Sequence, residues 1–313
     1  MEKTSPKPYQ LQPWLRLTIL TTISWGIWGS LMEYPEKFGF PATLGYITWA
    51  LTMIPCAYIA IKRGGKKINM GIKPIIIGCS AGFLGAGGQL MLFSALTHGP
   101  AYTIFPIISL YPVLTILLST ILLKERTNGS SWTGIVLSIV AVLLLSYQEP
   151  TSTTTVGHLW LFLSCAIFVM WGVQEFLLKL AQQFMNPESI FFYMMISALL
   201  LIPVALSMTN FSSDINWGLR GPWLSAAIQC LNAVGALSLV NALRTGKAIL
   251  ITPLTALAPV ITIIISLVLY GVVPHPIIIT GMALAIIAIF LIATEGSKAY
   301  LWSFSLIRRL LRF

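Results

Sequence analysis

The chain has 313 residues, of which 57% are hydrophobic and only 9% charged, with a formal net charge of +10. A soluble domain carries roughly 25% charged residues. This composition therefore excludes a surface built for water and fits one whose outer face stays apolar in lipid.

About 20 apolar residues are needed to cross the hydrocarbon core of a bilayer. Ten blocks approach or reach that length: 14–33, 42–61, 74–96, 101–123, 132–148, 159–181, 189–208, 222–243, 249–271 and 277–294. The fifth and tenth are the shortest. The first follows Met1–Pro13 and runs into Met32-Glu33-Tyr34-Pro35 with no small-residue cleavage site behind it, so it reads as a retained helix rather than a signal peptide. Cys56, Cys79, Cys165 and Cys230 all fall within blocks and read as packing residues, not as disulfide partners or metal ligands. Trp14, Trp132, Tyr147 and Tyr270 lie near block ends and suit an interfacial aromatic belt. The expected fold class is an all-α integral membrane protein.

The basic residues assign a side. With the N-terminus in the cytoplasm, Lys62, Arg63, Lys66, Lys67, Lys73, Lys124, Arg126, Lys179, Arg244, Lys247 and the terminal cations all fall inside, 17 of the 19 Lys and Arg. Only Lys37 and Arg220 fall outside. Such a bias orients membrane proteins, and it explains the positive charge without nucleic acid. It supports an even number of spans in a cell membrane, with both termini cytoplasmic. The tail beyond Tyr300 mixes Trp302, Leu306 and Leu310 with Arg308, Arg309 and Arg312; it suits the anionic inner leaflet, or it is simply a frayed basic end.

An internal repeat divides the chain. Shifted by 147 residues, 95–141 meets 242–288 without a gap, and 18 of the 47 positions are identical. The identities include Gly99/Gly246, Pro106/Pro253, Pro112/Pro259, Thr115/Thr262 and Gly134/Gly281. At a shift of 146, Trp25-Gly26…Pro41 falls on Trp171-Gly172…Pro187. The organisation expected is a cytoplasmic N-terminus (1–13), a first five-helix repeat (14–148), a linker (149–158), a second five-helix repeat (159–296) and a basic amphipathic tail (297–313). Five is odd, so the second repeat must insert upside down relative to the first. Inverted repeats are the physical basis of alternating access, with a substrate site near the midplane between halves.

The run Ala95-Leu96…Gly99-Pro100-Ala101…Pro106…Tyr111-Pro112-Val113…Leu123-Lys124-Glu125…Gly134, with Trp25-Gly26 and Trp171-Gly172 heading the halves, resembles the ten-helix EamA branch of the drug/metabolite transporter superfamily. The resemblance covers nearly all of 14–296 and implies a transporter; its motifs specify the family and not the solute. The second half departs where Gly271-Val272 stands for Lys124-Glu125. The glutamate is expected to tie a helix end to the next loop.

An ionisable group inside a span is expensive and is a functional hypothesis by default. Glu175 is the one acidic residue well inside a block, on a helical face with Trp171, Gln174 and Leu178. It reads either as a cavity wall binding a cation or proton, or as an i,i+4 pair with Lys179 whose stem reaches the interface. Gln229, Asn232 and Asn241 in the eighth block, and Gln89 in the third, either bind a polar solute or bind each other between helices. Gly78, Ala81, Gly82 and Gly85 read as close-packing positions. Pro106, Pro112, Pro253 and Pro259 break the fourth and ninth helices, either beside a cavity or only shaping packing; Tyr102, Ser109, Tyr111, Thr252 and Thr255 cluster near them. Trp25, Trp28 and Trp171 either stack on a flat or cationic solute or pack the core.

His98, His158 and His275, even with Glu33, Glu36, Glu149 or Asp214 beside them, match no ligand spacing, and no metal or other cofactor is expected. There is no Walker loop, dinucleotide fingerprint or paired-carboxylate pattern. The expected function is secondary transport of a small metabolite, export or exchange of an amino-acid-like solute, with sugar uptake as the alternative. A membrane-embedded enzyme would need a polar cluster at one depth, and a scaffold or sensor would need longer loops. The expected partners are the solute and membrane lipid. The apolar fifth and tenth helices sit at the lipid edge and leave a homodimer contact open.

Overall fold

The computed structural model describes residues 11–99, 101–147, 158–270 and 275–293. The extreme N-terminus, the linker 149–157, the Gly271-Val272 corner and the basic tail lie outside the described residues, as do the side chains of Tyr102, Pro106 and Tyr270. All described regular structure is helical. Seven helices are long and apolar enough to cross a bilayer, and Tyr111–Leu122 and Gly129–Leu145 are shorter apolar helices. Their outward faces expose large apolar side chains such as Val268 (82%) and Phe290 (66%), which lipid would cover.

The first half runs α1 (Pro13–Leu31), a short α2 (Tyr34–Lys37), α3 (Ala42–Gly64), α4 (Ile72–His98), α5 (Ala101–Ile108), α6 (Tyr111–Leu122) and α7 (Gly129–Leu145). The second runs α8 (Leu159–Ala181), α9 (Pro187–Leu200), α10 (Ile202–Ser207), a π-turn at Leu219–Trp223 leading into α11 (Leu224–Thr245), then α12 (Ala248–Thr255), α13 (Ala258–Tyr270) and α14 (Pro276–Ala293). In α1, the hydroxyls of Thr18, Thr21 and Thr22 donate to carbonyls one turn back, which lets a polar sequence remain helical in an apolar setting.

The prolines do more than kink. The fourth and ninth blocks each split into two helices, at Ser109–Leu110 and at Ala256–Leu257, which are equivalent positions of the repeat. Pro112 sits in the first turn of α6, where a missing N–H is no loss. Pro253 remains inside α12.

The halves cross over one another: α1 packs on α11 and α13, and α8 packs on α4 and α6. Equivalent residues make equivalent contacts. Trp25 Nε1 donates to Asn232 O and Trp171 Nε1 donates to Gly85 O, both at 3.3 Å. Thr262 Oγ1 donates to Gly26 O and Thr115 Oγ1 to Gly172 O, both at 2.9 Å. Trp14 lies against Gly246, and Trp160 against Gly99. Gly246 O also accepts from Lys179 at the far end of α8, so α1 begins where α8 ends. The two leading helices therefore run in opposite directions. Trp14 is buried against Gly246. At the bundle edge α7 and α14 pair closely, with Gly134 against Ala288 and Ile292, and Gly281 against Ala141 and Leu144.

Candidate functional site: a cavity between the halves

The crossed helices leave a cavity of about 490 Å³ at the centre, within the range typical of small-molecule sites. Both halves wall it. Trp25, Trp28 and Gly29 come from α1, Gly82, Gly85 and Gln89 from α4, and Tyr111 from α6. Trp171, Gln174 and Glu175 come from α8, Asn232 from α11, and Thr255, Pro259 and Thr262 from the α12–α13 break. Residues offered by the sequence as solute contacts thus share one cavity, among them Glu175, Trp171, Gln174, Trp25, Trp28, Gln89, Asn232 and Tyr111. Gln229 lines a smaller adjoining pocket and accepts from Trp28 Nε1 at 2.9 Å. Among the expected helix-break prolines, Pro259 faces the cavity. Pro112 and Pro253 are buried and do not line it, because they seat the broken helices in the bundle.

The backbone arrangement explains how the aromatics reach the wall. A Cβ on Gly235 would stand 2.5 Å from the Trp25 ring, and one on Gly88 would stand 2.5 Å from Trp171 Nε1. Only glycine lets each indole lie flat across the facing helix. Each indole N–H is then spent on protein: Trp25 and Trp171 on backbone carbonyls, Trp28 on Gln229. Tyr111 and Trp171 meet edge to face, with ring centroids 6.1 Å apart. The side-chain amides of Gln89, Gln174 and Asn232 make no hydrogen bond among the described residues, so they remain available to the cavity.

Glu175 is 4% exposed. It does not pair with Lys179. The Tyr111 hydroxyl donates to Oε1 over a long 3.5 Å, and Oε2 has no partner. The Thr252 hydroxyl approaches the carboxyl but makes no hydrogen bond, and it too is buried unpartnered. Among the cavity-lining residues Glu175 is the one charged group.

Lys179 instead closes one end of the bundle. Its Nζ donates to Leu243 O at 2.8 Å and to Gly246 O, and stands 3.7 Å from Glu125 Oε1. Glu125 Oε2 accepts from Ile249 N at 3.1 Å, and Lys247 Nζ donates to Arg126 O at 2.6 Å. Beneath this latch Leu178, Leu243 and Ile249 are fully buried. The cavity stops at the level of Glu175, Met53 and Leu239 on that side. It extends the other way past Phe93, Leu96 and Met32, toward the ends of α1 and α4.

The sequence reading missed the apolar walls. Trp49, Phe93, Phe105 and Met194 line the cavity, but an apolar wall residue in an apolar block looks like any core residue. Asn241, by contrast, only donates to Leu237 O of its own helix. No group of three His, Cys, Asp or Glu side chains is close enough to hold a metal among the described residues.

Two interlocked helical repeats around a central aromatic cavity, with lipid-suited flanks, define a multi-pass membrane protein of the transporter class. The sequence pattern of the EamA-like transporter family matches the chain twice, at residues 12–147 and 156–294. The chain belongs to that family. It is similar to an uncharacterised transporter of Archaeoglobus fulgidus, 26% identical over 151 residues, covering 47% of this chain and 51% of the relative. It is also similar to an uncharacterised protein of Methanocaldococcus jannaschii, 41% identical over 62 residues, covering 20% of this chain and 45% of the relative. The chain thus spans about half the length of the curated relatives it matches. One crystal structure superposes with a TM-score of 0.73 at 17% identity, covering 88% of this chain and 95% of its own. At that identity the likeness is of fold alone.

Proposed function

We propose that the protein is a secondary transporter that carries a small organic solute by alternating access. Its ten helical spans would form two inverted five-helix repeats in a cell membrane, with the termini and the basic loops in the cytoplasm. One observation carries the reading. The cavity lies at the interface of the two repeats and is sealed on the basic side by the Lys179–Glu125 latch, while it extends toward the opposite side. Related repeats that contact each other through paired, equivalent bonds can exchange roles, and the exchange opens the other side. The excess of Lys and Arg around the latch supports a cytoplasmic location for the sealed end.

Purified protein in liposomes tests this reading. Labelled amino acids, sugars and organic cations are screened, and saturable flux of at least one is expected. An intact fold with no flux of any solute overturns it. Orientation is read separately. Cysteines introduced at His98 and Thr245 are expected to label from opposite sides of the membrane, and labelling from the same side defeats the inverted arrangement.

A further inference from the structure

The cavity's chemistry narrows the solute, an inference that rests on reading the cavity as the solute site. Among its lining residues there is one carboxylate and no lysine, arginine or histidine. That carboxylate is buried, and Oε2 is without a partner. An isolated buried carboxylate is costly unless a proton, a positive charge or a hydrogen-bond donor reaches it; the protein supplies no positive charge, and the nearby Thr252 hydroxyl makes no hydrogen bond to this oxygen. The cations nearest in the chain are committed elsewhere, since Lys179 is bound to Leu243, Gly246 and Glu125.

The surrounding walls repeat the preference. Trp25, Trp28 and Trp171 have their N–H groups bonded to protein, so they line the cavity as aromatic surface and not as donors. Ring faces attract cations and are indifferent or repellent to anions. The repeat supplies the stoichiometry: the mate of Glu175 is Gly29, which also lines the cavity, so the pseudo-symmetric site holds a single carboxyl group. A free carboxylate or phosphate on the solute would meet Glu175 as a like charge, with only uncharged amides to receive it.

From this geometry we propose that the cavity takes a flat organic cation of single positive charge. The cationic centre sits beside the Glu175 carboxyl, and the planar body lies between the Trp25 and Trp171 rings. The Gln89, Gln174 and Asn232 amides meet polar substituents on the solute.

Three probes of one shape and different charge test this: 1-methylquinolinium, 1-methylnaphthalene and 1-naphthoate. Binding to the purified full chain is followed by calorimetry and by quenching of tryptophan fluorescence. The cation is expected to bind on the order of tenfold more tightly than the neutral isostere, and the anion more weakly than either. Glu175→Gln is expected to erase the difference between cation and isostere while keeping isostere binding, which also reports that the variant is folded. The unmodified protein gives an independent measurement: a hydrophobic carbodiimide is expected to label Glu175, and 1-methylquinolinium to protect it where 1-naphthoate does not. Equal binding of cation and anion, or no protection of Glu175 by the cation, overturns the proposal. Flux of a neutral or anionic solute in liposomes without cation binding overturns it and leaves the transport reading standing. Cation binding without flux of any solute supports the site and overturns transport.

Discussion

α1 and α8 hold equivalent places in the two halves and are bonded to their surroundings in the same way. Each sends a tryptophan across a glycine of the facing helix to a backbone carbonyl, and each receives a threonine hydroxyl on its own glycine carbonyl. They differ one turn further on, where α1 has Gly29 and α8 has Glu175. The shared bonds run to backbone atoms or over glycines, so they depend on close approach of helices and little on neighbouring side chains. A frame of this kind can be kept in both halves while the cavity face changes. Symmetry builds the frame here, and the departure from it at Gly29/Glu175 carries the charge.

The sharpest way to break the comparison is to attack the frame in both halves. Gly88→Leu and Gly235→Leu each place a side chain where an indole ring already lies. Overpacking of this kind costs about 1–3 kcal/mol or more, and the rigid ring and facing backbone leave little room to yield. Both variants are expected to lose thermal stability to a similar degree, measured by size-exclusion-monitored melting. A large loss in one with none in the other would deny that the two crossings are equivalent.

A second test sharpens the contrast between the two ends of the bundle. The latch joins Glu125 of the first half to Lys179 and Ile249 of the second. Its repeat mate, Val272, carries no charge and lies outside the described residues. Glu125→Ala removes a charge-assisted contact worth about 1.5–3 kcal/mol from the state sealed on the basic side. In a background without Cys56, Cys79, Cys165 and Cys230, a cysteine at Ala236 is expected to react with an impermeant reagent from the basic side about tenfold faster in that variant, since 1.4 kcal/mol is a factor of ten. An unchanged rate would mean that the apolar seal of Leu178, Leu243 and Ile249 holds that end closed by itself.

Much of this was readable from the sequence because it rests on residues that are costly or unusual in apolar surroundings. Glu175, Gln89 and Asn232 stand out in long apolar blocks, and paired prolines and glycines align one half with the other. The rest depended on contacts across halves. Lys179 follows Glu175 by one turn, which invites a local pair, yet the bundle brings it the carbonyls of Leu243 and Gly246 at the end of α11 and the Glu125 carboxylate of the first half. The Thr115/Thr262 identity was visible, but its purpose, a hydroxyl reaching the opposite half's Gly172 or Gly26, required the crossing of helices to be known. Glu125, expected to tie its helix end to the next loop, instead reaches the first turn of α12 in the other half.

The smallest expected effect lies beside that glutamate. Lys124 has φ 54°, a left-handed backbone that a side chain adopts at a cost, usually about 1–2 kcal/mol. The turn is closed by Glu125 N donating to Ser119 O at 3.2 Å, so it aims the glutamate toward α12. Glycine adopts this backbone readily but is freer in the unfolded chain, and the two effects partly offset each other. Lys124→Gly is therefore expected to raise stability by about 0.5–1 kcal/mol and to leave labelling at Ala236 as it was. Lys124→Val, whose branched side chain fits that backbone poorly, is expected to lower stability and to speed the labelling from the basic side, because a turn that relaxes no longer presents Glu125 to Ile249. If both substitutions left stability and labelling untouched, the turn would have no part in setting the latch.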